Sequence, residues 1–432
     1  MTYTKNLIDF IGHSPTCYHV AENMAMMLTA AGYTELSEAE NQPLEAGKGY
    51  FVRRNMSSII AFRMPLDALG GFMICASHDD SPSFKIKDNA ELDSPMYVRI
   101  NAEPYGGMIQ GAWLDRPLSV AGKLLVRDGT RMVTKLVNVE KNCLMMPNVA
   151  PHMARIKDYN PACDLVPLFG DGSAKGKFYE TVAAAAGVKR EDILSSDLFL
   201  YNREKGYVWG TNDEFFSCPQ LDDLQCAYAS MVGFLESGAS AHTAAVCAVL
   251  DNEEVGSTTK QGAASTFLCD TLHRIVYAVG GTESDYMAAV ARSMMVSADN
   301  AHAVHPNHPE YADPTHKPEM NKGIVIKHNA SQKYTTDAVS AAFFEAVCKK
   351  AEVPVQHFFN RSDMGGGSTL GNIANTQVSL NTVDIGLPQL AMHSPFETAG
   401  TKDTGYFIRA LRVFYTASIK ADLGGTYEMI FA

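Results

Sequence analysis

Short apolar runs of strand length constrain this chain most. They lie at Ser58–Arg63, Phe72–Ala76, Ala244–Leu250, Arg274–Val279, Met294–Ser297, Ile324–Ile326 and Val378–Ile385. A run that is apolar at successive positions makes a strand that must be covered on both faces. Helical patterns stand between some of them, at Asp223–Ser237 and Asp337–Glu352. Two more helices open the chain. Lys5–Gly12 carries Leu7, Ile8, Phe10 and Ile11 on one side and stops at Gly12-His13-Ser14-Pro15; Tyr18–Ala31 carries Met24, Met27 and Leu28 and stops at Gly32. The Met stripe is core packing, since Met fills gaps between helices. Strands alternating with helices predict an α/β fold, a central mixed sheet flanked by helices.

Between Asp93 and Thr211 the texture changes. Short runs at Met96–Ile100, Leu118–Val120, Lys123–Val126 and Met132–Leu136 are separated by Gly, Asp and Asn turns, the rhythm of a β-rich unit. The simplest division is a discontinuous α/β domain, 1–93 plus 212–432, interrupted by a β-rich insert at 94–211. A length of 432 residues suits two or three domains and a large core. With 46% hydrophobic and 19% charged residues the chain is not built for disorder. A net charge of −12 argues against nucleic-acid partners, whose phosphates need a basic surface. No run reaches the roughly 18 apolar residues of a membrane span, so no membrane partner is expected. The start, MTYTKNLIDFIGHSP, lacks the apolar core of a secretory signal. Nine scattered cysteines without a C-x-x-C pair read as reduced thiols, which predicts a cytoplasmic protein. There is no internal repeat and no low-complexity segment.

Polar clusters close several of the strands, which is where an α/β sheet presents its ligand crevice. Ser77-His78-Asp79-Asp80 follows the run Gly71–Ala76, and the His78-x-Asp80 spacing lets a carboxylate fix the tautomer of a metal-bound imidazole. Asp222 and Asp223 open a helix, where an N-cap is the plain alternative. Asp251-Asn252-Glu253-Glu254 closes Ala244–Leu250; it is either a solvated turn or a group of acids that a cation must compensate. Asp299 and His302 follow another strand, and His393 stands near the end of the chain, where a lone histidine is more often a satisfied core residue. Together His78, Asp222, Glu254, Asp299 and His393 make two imidazoles and three carboxylates, with Glu253 left over. That is the donor set of a two-metal hydrolase in which one carboxylate bridges and an unligated glutamate handles protons.

The chain resembles the M18 metallopeptidases, the aspartyl aminopeptidase family. The matching segments are SHDDSPSFKIK (77–87), MPNVAPHMAR (146–155), LDDL (221–224), DNEEVGSTTKQGA (251–263), SADNAHAVHPN (297–307), KGIVIKHN (322–329) and LPQLAMHS (387–394). The opening DFIGHSPTCYHVAENMAMMLTAAGYTEL is similar to the family's first two helices. Taken in order, these segments span essentially the whole chain. The resemblance implies a zinc exopeptidase-like catalytic domain and assigns the insert 94–211 to dimerisation. It implies two zinc ions per subunit, with cobalt or manganese possible in their place. His78 and Asp299 would hold one ion, Glu254 and His393 the other, and Asp222 would bridge. Glu253 would be the general base, and Asp80 would orient His78. His152 would reach the neighbouring subunit's site, and His302 and Lys327 would line the pocket for the first side chain. The implied assembly is a tetrahedral dodecamer of dimers that admits only peptides.

Two segments depart from the family pattern. Gln220-Leu-Asp-Asp223 stands where many members have Arg-Leu-Asp-Asn, adding the carboxylate of Asp223. Asp363-Met-Gly-Gly-Gly-Ser368 differs from the Cys-Gly-Thr form of aspartyl-specific members. Both touch side-chain preference and not the hydrolytic machinery. The glycines of 365–371 lack the Gly-Lys-[Ser/Thr] that a phosphate loop needs. The expected activity is therefore a zinc aminopeptidase with a preference for Asp or Glu. The alternatives are neutral or basic preference by the same mechanism, a deacylase or carboxypeptidase on a related scaffold, and a silent assembly protein of the same fold.

Overall fold

The computed structural model describes residues 1–422 and 425–431. Its centre is a nine-stranded mixed sheet. Four parallel neighbours form the middle, in the order Thr243–Leu250, Gly71–His78, Met294–Ala298 and Asn381–Gly386. On one side Ser58–Arg63 and Gly49–Arg54 continue antiparallel, ending in the short Thr34–Glu35. On the other, Ile324–His328 runs antiparallel to Asn381–Gly386, and Val355–Phe359 runs parallel to Ile324–His328.

The continuous apolar runs are explained by the two faces. Met73, Cys75, Cys247, Val249, Met294 and Val296 pack on one side, with the helices Thr2–Gly12, Cys17–Ala30, Leu221–Glu236, Ala338–Lys350 and Asp403–Phe414. Phe72, Ile74, Ala76, Val246, Ala248 and Met295 pack on the other, with Phe267–Ala278 and its neighbours. Burying each large apolar side chain contributes about 1.5–3 kcal/mol. A polar residue in either row would leave one core with an unpaired group.

A second, six-stranded antiparallel sheet has its own core around Phe84, Ile100, Trp113, Leu124, Phe178 and Leu198. Its strands run Arg131–Asn138, Leu118–Asp128, Ile193–Asn202, Ser83–Asp93, Tyr97–Tyr105 and Leu168–Asp171 across the sheet. The sheet thus draws in Ser83–Asp93, on the near side of the 93/94 border read from texture. A third sheet of five strands joins Tyr207–Trp209, Phe215–Cys218, Glu397–Gly400, Pro388–Leu390 and Ala301–His302. No helix among the described residues is long and apolar enough to cross a membrane.

Two strand readings are corrected. Arg274–Val279 is not a strand but the last part of the helix Phe267–Ala278, whose Leu268, Leu272, Ile275 and Val276 share one buried face. Its β-branched Ile-Val pair imitates a strand when read over six residues. At the other site the strand is Asn381–Gly386, and Val378 is buried in the turn that precedes it. The strands Ser83–Asp93 and Ile193–Asn202 carry too many charged and polar residues to show as apolar runs, because they bury only part of their surface.

Candidate metal centre

Register brings the polar strand ends to one edge. His78 is the cross-strand partner of Leu250, and Ser297 that of Ala76, so His78, the turn Asp251–Glu254 and Asp299 leave the sheet side by side. Asp222 enters from the start of Leu221–Glu236, and His393 from the loop after Pro388–Leu390.

Five of the residues singled out from sequence converge. Asp222 Oδ1 lies 3.6 Å from His78 Nε2, which stands 3.8 Å from Asp299 Oδ1. Asp222 Oδ2 lies 3.3 Å from His393 Nε2, which stands 3.5 Å from Glu254 Oε1. One carboxylate therefore faces two separate groups, His78/Asp299 and His393/Glu254, each with Asp222 able to hold a metal ion. Donors held about 2.0–2.2 Å from one tetrahedral zinc stand about 3.4 Å apart, which these separations suit. Asp222 Oδ1 and Glu254 Oε1 are buried without any hydrogen-bond partner, which a cation would remedy. The residues present fit a pair of such ions.

The surroundings aim these donors. His78 Nδ1 is 3.0 Å from the main-chain oxygen of Asp80, which accepts the Nδ1 proton and leaves Nε2 free to ligate. The Asp80 carboxylate is farther from that ring, at 3.5 Å, and accepts instead from the N–H groups of Glu253 and Glu254 and from the Tyr105 hydroxyl. Asp80 thus orients His78 by its backbone and the glutamate turn by its side chain. Asp223, the added carboxylate, stands outside the two groups: it is fully buried and accepts from the N–H of His78 and of Asn300, tying two strand ends.

Sequence reading missed Glu397. Its carboxylate is buried and accepts from the N–H of Asp222 at 3.0 Å and of His393 at 2.7 Å, so one side chain fixes two of the converging residues. His393 holds a left-handed backbone, φ 66, of the kind that persists where contacts over-determine it. A lone Glu in Phe396-Glu397-Thr398 carries no local signal for this role.

Electrostatics sort the acids. Against the upward push of burial, the His393 and His78 imidazoles hold the Asp222 carboxyl well below the usual range. Burial raises Glu253 to about 7; Asp299, Asp80 and Asp222 push the same way and His78 opposes. The Glu253 carboxylate takes no hydrogen bond from any described residue and lines the cavity of about 200 Å³ over the five converging side chains.

The remaining residues fall into two groups. His302 stands in the wall between this cavity and an adjoining one of about 310 Å³, which the glycines 365–367 also line. Surrounding protein and then Lys327 lower the His302 imidazole, which favours its neutral form. Lys327 is buried, and its ammonium donates to the Asp299 main-chain oxygen at 2.9 Å, to Asp299 Oδ2 at 3.2 Å and to the Asn300 oxygen at 3.2 Å. Those contacts occupy all three donors of an ammonium group. His152 is not brought to this chain's own cluster; it sits on an exposed turn after Leu118–Asp128 and Arg131–Asn138.

Comparison with known proteins gives the family of the chain. The family model for aminopeptidase I zinc metalloprotease (M18) matches residues 10–415. The "Probable M18 family aminopeptidase 2" of Clostridium novyi (strain NT) is 42% identical over 426 residues, covering 96% of this chain and 98% of its own. The cryo-EM structure of the Ape4 and Nbr1 complex superposes with a TM-score of 0.92 at 32% identity, over 96% of this chain and 85% of that one. The S. cerevisiae mApe1 dodecamer superposes with a TM-score of 0.84 at 28% identity, over 95% of each chain.

Proposed function

Given that this chain belongs to the M18 family of metal-dependent aminopeptidases, we propose that it works with two zinc ions per subunit and Glu253 as general base. The observation that carries this reading is Asp222, whose two oxygens face His78 with Asp299 and His393 with Glu254. Asp222 would bridge, His78 and Asp299 would hold one ion, and Glu254 and His393 the other; cobalt or manganese would suit the same donors. Bound there, the ions supply Lewis acidity to the scissile carbonyl and lower the pKa of water. Glu253 takes the proton of the attacking water at its free carboxylate and returns it to the leaving amine. The cavity wall around His302 and Lys327 receives the first side chain.

The family resemblance favours Asp or Glu as that first residue, with Lys327 as their partner. The saturation of Lys327 by Asp299 and Asn300 favours a second reading, a neutral first residue. Hydrolysis of X-Ala-Phe peptides, with X as Asp, Glu, Leu, Lys or N-acetyl-Asp, separates them on protein reloaded with zinc, cobalt or manganese. Cleavage of Asp and Glu peptides with N-acetyl-Asp refused supports the acidic pocket; a Leu preference supports the second reading. No release with any metal would sink the zinc-hydrolase mechanism.

The working assembly is a homo-oligomer, a tetrahedral dodecamer of dimers in which the β-rich unit of about 94–211 makes the dimer and His152 enters the neighbour's site. Similarity to the mApe1 dodecamer and the exposure of His152 support this. His152→Phe should lose most activity with its zinc content intact, and mixing it with a metal-ligand variant should recover part of that activity. No recovery after verified subunit exchange counts against a shared site. The assembly acts on peptides in the cytoplasm, a placement supported by nine cysteines that are all free and readable by cell fractionation.

A further inference from the structure

A third group of carboxylates lies behind the metal centre. Asp79, Asp80 and Asp251 are 0%, 3% and 2% exposed, and one oxygen of each lies within 4.8 Å of the others. Two of the three are provided for. Asp80 accepts from the Tyr105 hydroxyl at 2.7 Å and from the N–H groups of Glu253 and Glu254. Asp251 accepts from the Asn252 N–H at 2.7 Å and from Gln261 Nε2 at 3.4 Å. Asp79 is different: both of its carboxylate oxygens are buried without a hydrogen-bond partner. Among the described residues no lysine or arginine pairs with any of the three; the one basic neighbour is His78, beside Asp80.

A buried carboxylate with neither donor nor counter-charge, beside two more, is costly unless something positive joins it. We propose that Asp79, Asp80 and Asp251 form a third cation site, for a hard divalent ion of the calcium or magnesium type. The donors are all carboxylate oxygens, without imidazole or thiolate, which selects hard cations over zinc. A small cavity of about 30 Å³ reaches the group at Asp80, beside Thr16, Cys17 and Tyr105. Such a volume holds about one water, the remaining kind of donor these ions use.

The site couples two neighbouring strand ends at one edge of the sheet. Asp79 follows His78 directly on one strand, and Asp251 opens the turn that carries Glu253 and Glu254 on its neighbour. An ion between them clamps those ends together, so it acts as a structural brace for the metal centre without itself touching substrate. The inference does not depend on the two-zinc reading, because Asp79 and Asp251 take no part in that centre.

The test uses the full-length chain, first saturated with zinc, then dialysed against calcium or magnesium and counted by plasma mass spectrometry. One further equivalent per chain is expected, with a melting midpoint that climbs with the logarithm of the ion concentration. Asp79→Asn should keep its zinc and bind close to none of the further equivalent, and its midpoint should no longer respond. If Asp79→Asn does not fold, Asp251→Asn and the wild-type titration decide the matter. A zinc-full wild type that takes up neither ion overturns the proposal and leaves a shared proton as the occupant. Retention of the further equivalent by Asp79→Asn overturns it equally. Because zinc is counted in the same sample, a failed main centre is read separately.

Discussion

Glu253→Gln is expected to lower kcat by about 10²–10⁴-fold, the usual contribution of a positioned general base, while zinc content and particle size stay unchanged. Glutamine keeps the shape and the backbone bond to Asp80 but cannot take a proton. The pH profile gives a second readout. Burial holds Glu253 near 7 in the metal-free chain, and two bound cations would lower it from there, since opposite charge favours the ionised form. The base works deprotonated, so kcat/KM should rise with pH through a limb placed at or below about 7. That limb should vanish in Glu253→Gln. Retention of most activity by the variant, with the limb in place, would assign the base to another group.

Asp222→Asn is expected to be the more damaging substitution for the metals. The side chain supplies one oxygen to the His78/Asp299 group and the other to the His393/Glu254 group. An amide supplies only one oxygen, and its NH₂ cannot ligate. At least one group of donors then loses a member, and the amide nitrogen faces an imidazole or carboxylate arranged for a cation. Affinity for metal should fall by more than the roughly 10–100-fold that losing a hydrogen-bond partner of a ligand costs. Bound zinc should drop below the wild-type level and peptide release should be abolished. The fold should persist, since the Asp222 N–H still reaches Glu397. Two zinc ions retained at wild-type affinity would show that Asp222 does not bridge.

Much of this protein is written locally. Phe72–Ala76 and Ala244–Leu250 read as strands covered on both faces because each is a continuous apolar run, and the polar residues closing them read as a site because acids are costly at the end of a buried strand. Helix and strand mimic each other where the window is short, as at Arg274–Val279, which only the packed face of Phe267–Ala278 resolves. The M18 resemblance, carried by motifs in order, supplied the division of the donors between two ions and the individual roles.

What the chain order could not express is which groups end up sharing atoms. His78 and His393 are brought to the two oxygens of one carboxylate by strand register and a helix start, relations between segments well over a hundred residues apart. Lys327 looked available for substrate in sequence, and tertiary structure spends its three donors on Asp299 and Asn300. Glu397 is a single acid with no motif to mark it, and Asp79 stands in a matched segment that assigns it no role. The partners of the one and the isolation of the other exist only in three dimensions. Fold class and donor chemistry are legible in the order of residues, because hydrophobic pattern and residue type are local properties. Tertiary structure alone decided how those donors are paired, oriented and neutralised, because Coulomb and hydrogen-bond energies depend on distances that no linear spacing contains.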